Sequence, residues 1–458
     1  MVGRLSCYRY GAESAKELIH MIARPTEVMV DSAKRNIFVL GLNGFNLEKL
    51  KSIRGAENYN YYGMLAPEEI LDAGNYPIRD MIGRAEKQLR DFAGSVDAII
   101  GYMDFPVSTM LPVLRRDFGL PGPTLESLLR CEHKYWSRLE QKKAVPEVTP
   151  AFAVFDPFDE DSIAGIDLDF PFWIKPVKSA GSWLGFRVGG NDELRRAVTV
   201  IRRHIGRFGD PFDYILDQAE LPEAIARVRG NWCIAEQIIG GRLCTVEGYV
   251  LDGAVRSHGT VDSILYPGTS SFFRYQYPST LDEDIQHRML GVIDTLLTAV
   301  GYDNAAFNIE FFLDEASGRL WLLEVNTRVA QHHSDLFEKV DGVSNHQVTV
   351  DVALGRKPRM PHRRGRFKCA AACWLRRRHD GIVRRVPTEA EIAEIRKRIP
   401  GTIIEVEVRE GMRLSDAVDQ DSYSYVLALI YVGGESEQDL LSKYEQCVQS
   451  LFFDIENV

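Results

Sequence analysis

The sequence has no CxxC pair, although it holds seven cysteines: Cys7, Cys131, Cys233, Cys244, Cys369, Cys373 and Cys447. An odd, dispersed set in a long chain fits reduced thiols and not a disulfide framework. No apolar run is long enough to cross a bilayer, and the opening "MVGRLSCYRYGAESAKEL" lacks the apolar core of a signal peptide. The expectation is a soluble, cytoplasmic protein with no membrane partner. Positive charge is not in excess either; the net charge of -10 disfavours a general nucleic-acid binder. There is no GxxxxGK(S/T) and no strand–turn–helix GxGxxG, which sets aside the common P-loop and dinucleotide folds. Internal repeats and low-complexity tracts are absent.

What remains is ordinary globular composition, 45% hydrophobic and 26% charged over 458 residues, with room for several cores. The N-terminal part alternates strand and helix signals. "EVMVD", "NIFVLGL" and "VDAIIGYMDFP" read as strands, and "RDMIGRAEKQLRDFAG" and "VSTMLPVLRRDFG" as helices. Such alternation predicts a parallel sheet with ligands at the carboxyl ends of its strands. "LESLLRCEHKYWSRLEQKKA" reads as one helix, N-capped by Thr124. A small strand-rich segment follows, then further strands, a helix "EDIQHRMLGVIDTLLTAVG", a hairpin and a helix "NHQVTVDVALG". The basic linker "RKPRMPHRRGR" leads to a last α+β unit, in which "CAAACWLRRRHDGIVRRV" reads as a hairpin. The predicted class is therefore α/β and α+β multidomain, divided at 1–124, 125–358 and 359–458.

The hairpin "AAFNIEFFLDEASGRLWLLEVNTR" carries the strongest anomaly, a glutamate inside each apolar strand. Side chains alternate along a strand, so Asn308, Glu310 and Phe312 should share one face, as should Leu322, Glu324 and Asn326. With the turn near Ala316–Ser317, Glu310 falls opposite Glu324 and Asn308 opposite Asn326. Facing carboxylates repel, and removing them from water costs several kcal/mol more. A divalent cation relieves both penalties; carboxylates plus an amide oxygen suit Mg²⁺, which completes its shell with phosphates. A solvated sheet face is the alternative.

A second anomaly is "FWIKPVKSAGSWLG", where Lys175 sits inside an apolar strand on the face of Trp173. A half-buried lysine calls for an anion such as phosphate, and the small-residue loop after it lets backbone N–H groups approach phosphate oxygens. An ordinary glycine turn after a snorkelling lysine is the plainer reading. "CIAEQIIGG" ends a strand in a Glu-Gln pair and a glycine break, which suits an adenine slot or a simple edge strand.

Taken in order, "HKYWSRL", "IKPVKSAGSWLG", "AEQIIGG" and the acidic hairpin resemble the ATP-grasp superfamily, over roughly 125–358. The resemblance implies a preceding α/β domain, a central ATP-grasp fold with a lid at about 150–240, and a C-terminal α+β domain. It implies that Lys134 and Lys175 bind ATP phosphates. The segment Ser179 to Gly185, with Gly181 and Ser182, would close over them. Glu236, Gln237 and Ile239 would sit at the adenine hinge. Glu310, Glu324 and Asn326 would hold Mg²⁺, with Mn²⁺ as a substitute, and Arg328 would stabilise transferred charge. Where many members place a ribose-binding glutamate this chain has Leu243, leaving Glu247 as the nearest acid.

"NTRVAQHH" also resembles the biotin-carboxylase version of the motif, but His332 stands where those enzymes carry a glutamate base for bicarbonate. The activity implied is a carboxylate–amine ligase: ATP phosphorylates a carboxylate, and an amine then attacks the acyl phosphate, releasing ADP and phosphate. Amino-acid-like small molecules are the substrates implied, and a homodimer is compatible with the resemblance. A biotin-carboxylase-like enzyme using bicarbonate and a non-catalytic nucleotide-binding regulator are the other readings. On the substrate side, His332 and His333 read as carboxylate contacts or a base, or as surface histidines. Arg274, in the aromatic stretch "YPGTSSFFRYQYPSTL", reads as a partner for a substrate carboxylate in a loop.

Overall fold

The computed structural model describes residues 34–71, 76–179, 183–269, 271–417 and 424–458. The expected strand "EVMVD" and the loop residues Gly181 and Ser182 lie outside them.

Strands β1 (Arg35–Leu40), β2 (Tyr59–Met64) and β3 (Ala98–Ile100) form the expected parallel sheet, in the order β2-β1-β3. Helices Ile78–Arg90 and Val107–Asp117 pack beside it, joined to one apolar core with Ile37, Val39 and Ile99. The chain leaving the carboxyl end of β3 carries Asp104. Thr124 caps helix Leu125–Glu132 as expected, its hydroxyl accepting from the Ser127 N–H. The single helix expected here is two. His133 adopts extended dihedrals (φ -78, ψ 100) and its ring accepts from the Trp136 N–H, starting a second helix at Lys134–Ala144. The break places Lys134 in the first turn of a new helix.

A four-stranded antiparallel sheet follows: β4 (Phe152–Phe155), β5 (Phe172–Pro176), β6 (Phe186–Val188) and β7 (Cys233–Gln237), in the order β4-β7-β5-β6. Phe172 and Ile174 turn to the core under helix Asn191–His204. Trp173 and Lys175 occupy the opposite face, as alternation requires.

The largest element is an eight-stranded sheet. It comprises β8 (Arg242–Leu251), β9 (Ala254–Leu265), β10 (Phe272–Tyr277), β11 (Ala305–Asp314), β12 (Arg319–Asn326), β13 (Cys369–Arg377), β15 (Ile403–Val406) and β16 (Tyr425–Gly434). Its order is β12-β11-β8-β9-β10-β13-β16-β15, so the C-terminal strands continue the central sheet across residue 358. Helix Glu283–Val300 covers one face through Met289, Ile293 and Leu297, packed on Phe307, Ile309 and Phe311. Two local readings are corrected. "SFFRYQY" is mostly strand β10: Phe273 packs into the core on one side of the sheet, and Phe272, Tyr275 and Tyr277 into the core on the other. The expected C-terminal hairpin is not one: β13 pairs with β10 and β16, while β14 (Gly381–Arg385) pairs with β17 (Asp454–Asn457).

Candidate nucleotide and metal site

The hairpin has the expected register: Asn308 lies opposite Asn326 and Glu310 opposite Glu324. One detail differs. The ladder shifts after Glu310, pairing Phe311 with Leu322 and leaving Leu323 as an extra residue. This bulge turns Leu322 into the apolar core, away from the face of Glu324 and Asn326. Arg138, missed in the sequence, secures the bulge by donating to the Leu322 and Leu323 carbonyls at 2.9 and 2.8 Å.

The two carboxylates are unequal. Burial, then repulsion from Glu324, pushes the Glu310 carboxyl up to about 7. Burial acts the same way on Glu324, but Lys134 and then Lys175 hold it below the usual carboxylate range. Lys134 Nζ lies 2.8 Å from Glu324 and donates to the Ser179 carbonyl at 3.1 Å. The Asn326 amide N–H donates to Glu310 at 3.1 Å, leaving its oxygen for another partner. A divalent cation between the strands would remove the repulsion that raises Glu310, so this donor set fits Mg²⁺. Among the described residues no cluster of three or more His, Cys, Asp or Glu could hold a metal. Two carboxylates and an amide fall below that count, as expected for an ion that shares its shell with phosphate.

Lys175 reaches across from β5 to Glu236 on β7, at 2.6 Å. Arg138 binds the other Glu236 oxygen at 2.6 Å. Burial alone would raise the Glu236 carboxyl; Arg138 and Lys175 hold it at about 2. Glu236 thus points toward the lysine and not outward to a base. Gln237 is exposed at the strand end and accepts from the Ala151 N–H at 3.3 Å, and Ile239 is half-buried just beyond. Ser179 is buried and Gly185 half-buried on either side of the loop.

A second charged cluster, missed in the sequence except for Arg328, closes the other end of the site. Arg328 pairs with Asp104 at 3.1 Å, and Lys178 pairs with Glu132 at 2.6 Å and with Asp104 at 3.5 Å. Glu132 also accepts from the hydroxyls of Ser108, at 3.0 Å, and Thr327. Burial works against the Asp104 charge, but Lys178 and Arg328 hold its carboxyl far below the usual range. The available signals were Lys178, a second lysine in "IKPVKSAG", and Asp104, which follows the carboxyl end of a parallel strand.

His332 is half-buried beside Tyr275 and Trp374, with ring centroids 6.4 and 5.7 Å away. Burial, then His333 and Arg328, lowers its imidazole to about 4, so it is neutral at neutral pH. Burial, then the Glu310 carboxylate, pushes the Tyr275 hydroxyl well up, and Arg328 and Arg376 act in the opposite direction.

Three expected site residues lie elsewhere. Arg274 is buried on the far face of β10 and pairs with Glu437 of the C-terminal helix. Glu247 is 0% exposed; it lies opposite Asn308 on the same face of the sheet but is covered by the segment that carries Ala330, His333 and Asn345, so it faces no ribose. Its oxygens take the amide N–H of Asn308 at 3.1 Å, that of Asn345 at 2.9 Å, the Ala330 N–H at 3.1 Å and the His333 ring at 2.7 Å. His333, 2% exposed, belongs to that network and not to a substrate surface.

Residues 277–360 match the family model described as carbamoyl-phosphate synthase L chain, ATP binding domain. An L-amino acid ligase from Bacillus licheniformis superposes with a TM-score of 0.66 at 16% identity, covering 93% of this chain and 100% of that one. The chain has the ATP-grasp fold. Two further solved structures share it. Phosphoribosylglycinamide synthetase from Anaerococcus prevotii matches at TM-score 0.59 and 14% identity, covering 92% of this chain and 100% of that one. The biotin carboxylase domain dimer of 2-oxoglutarate carboxylase from Hydrogenobacter thermophilus, solved with MgADP and bicarbonate, matches at 0.59 and 14%, covering 92% and 91%. No curated protein matches in sequence. Lys175 on the four-stranded sheet lies near enough to Glu324 on the large sheet to help hold its carboxyl down. No described helix is long and apolar enough to cross a membrane.

Proposed function

We propose that this protein is an ATP- and Mg²⁺-dependent carboxylate–amine ligase that works through an acyl phosphate and releases ADP and phosphate. The observation that carries the reading is the facing pair Glu310–Glu324, with Lys134 and Lys175 brought to it from two different elements. Lys134 and Lys175 would exchange their carboxylate partners for phosphate oxygens. Glu310, Glu324 and the Asn326 oxygen would hold Mg²⁺, which neutralises phosphate charge when bound. Arg328, fixed by Asp104, would face the transferred group.

The substrate class is read from the wall beside Arg328. Tyr275 and His332, both half-buried, present aromatic surface backed by the buried Trp374, and Arg328 and Arg376 bring positive charge to the same place. A carboxylate carrying an apolar or aromatic body, as in an amino acid, matches both features. A neutral His332 can accept a hydrogen bond from an incoming ammonium group and so orient it, whereas its imidazole, lowered to about 4, is too weak a base to deprotonate that group; it stands where bicarbonate chemistry uses a carboxylate. The test is phosphate release across a matrix of amino acids and amines, with bicarbonate as a separate arm. Release that needs both an amino-acid carboxylate and an amine supports the ligase; release with bicarbonate alone overturns it.

A further inference from the structure

Of the buried lysines and arginines described, Lys49, Arg138, Lys178, Arg274 and Lys339 each face a carboxylate. Arg115 does not. It is 7% exposed, near the end of helix Val107–Asp117, and its recorded hydrogen bond runs from Nε to the Ile99 carbonyl at 2.8 Å. Burial pushes its guanidinium down only to about 10, so it stays charged at neutral pH. Gly122 lets the turn above lie against it; a Cβ there would meet Arg115 Cδ at 2.8 Å and Nη1 at 3.1 Å. A buried cation without an acidic partner is costly and calls for an anion from outside the chain.

Arg115 lines a cavity where three parts of the molecule meet. Gly101 and Arg115 come from the N-terminal domain, Asn304 and Arg328 from the central one, and Thr349 from helix His346–Ala353. The Thr349 hydroxyl is buried there without a hydrogen-bond partner among the described residues. About 30 Å³ is open to the centres of water-sized groups, room for a small ion and far too little for a triphosphate.

We infer that this cavity binds one small anion, between chloride and formate or bicarbonate in size, held by the Arg115 guanidinium and the Thr349 hydroxyl. The bound anion completes the charge balance of the interface and fastens the N-terminal domain to the ATP-grasp core beside Arg328. The cavity adjoins the charged cluster through Ser108, Thr327 and Arg328 but is not lined by Lys134, Lys175 or Glu324, and the inference stands whether or not the ligase reading does.

The test is thermal unfolding of the full chain at constant ionic strength, replacing sodium gluconate, too large for the cavity, with chloride, formate or bicarbonate. A saturable rise in Tm of about 2 °C is expected with at least one of the three, and the arms tell a halide from an oxyanion site. The rise should disappear in Thr349→Val, which keeps the side-chain volume, and in Arg115→Met. Because Arg115→Met also removes the bond to Ile99 and can fail to fold, a bromide-soaked crystal provides a second readout: an anomalous peak against the guanidinium. Equal melting in all four salts, a shift that survives Thr349→Val, or, where chloride gives the rise, no bromide at Arg115 overturns the inference.

Discussion

Glu310 and Glu324 are both half-buried but differ in their neighbours. Lys134 and Lys175 favour the charged form of Glu324, whereas Glu310 is left facing Glu324 and rises to about 7. Replacing Glu324 by Gln removes a proposed metal ligand while keeping shape. Turnover should fall by a factor on the order of 10² or more, with the fold and its circular dichroism unchanged; full Mg²⁺-dependent turnover in this variant would take Glu324 out of the metal site. Lys175→Ala should weaken ATP binding by roughly tenfold to a hundredfold, read by calorimetry, since a charge-assisted contact to phosphate is lost. Glu236 retains Arg138 in that variant, so the scaffold stays balanced. These residues were legible because a glutamate or lysine inside an apolar strand violates the alternation around it. Lys178, Asp104 and Arg138 were not, because their partners lie far off in sequence and only the fold brings them together. Glu247 shows the opposite limit: nearness in sequence to a motif suggested ribose, whereas the sheet register buries it beside Asn308.

At the scale of elements, the edge strand β15 leads into two carboxyls that share a face, Glu405 and Glu407. Burial, and for Glu405 the neighbouring Glu407, raises them to about 8 and about 7. A folded-state value above the unfolded one means the folded protein holds protons that the unfolded chain has released. The contribution to stability is complete below the ordinary carboxylate range and is lost as pH rises through 7 to 8. Tm should therefore fall between about pH 5 and about pH 8, the span from the ordinary carboxylate value to the raised ones, and Glu405→Gln should make the decline shallower; a parallel decline in the variant would assign it to other groups. The bulge at Leu323 is a further element-level device. Arg138→Met would leave Glu236 with Lys175 alone and free two carbonyls, at a cost of about 3 kcal/mol measured by denaturant unfolding; a change within experimental error would mean that the bulge holds without it. Bulges and helix breaks are what periodicity reads worst. The Glu310–Glu324 register follows from the turn, but the extra residue after it leaves no pattern of its own, and the break at His133 interrupts a sequence that is helical in composition on both sides.

At the scale of the whole molecule, the parallel N-terminal sheet, the small strand-rich segment after it and the acidic hairpin could all be read from the order of strand and helix signals. The continuity of the large sheet could not. Strand order depends on which edges meet, and the basic linker at 356–366 looks like a boundary although β10 and β13 pair directly across it. That continuity matters for function, because Trp374 on β13 and Tyr275 on β10 flank His332 only when the C-terminal strands join the central sheet. Trp374→Ala should raise KM for an apolar amino-acid substrate with little effect on ATP affinity, checked by steady-state kinetics against both; a change confined to ATP would move Trp374 out of the substrate wall.

The central claim is that the paired strand carboxylates grip magnesium bound to a triphosphate while two lysines hold the phosphates. Calorimetric titration of ATP with Mg²⁺ and with chelator, in the parent protein and in Glu310→Gln and Glu324→Gln, tests it most directly. The account predicts tight, Mg²⁺-dependent binding in the parent and loss of the Mg²⁺ dependence in both variants, with metal-free ATP still bound. Mg²⁺ dependence that persists unchanged in both variants would contradict it.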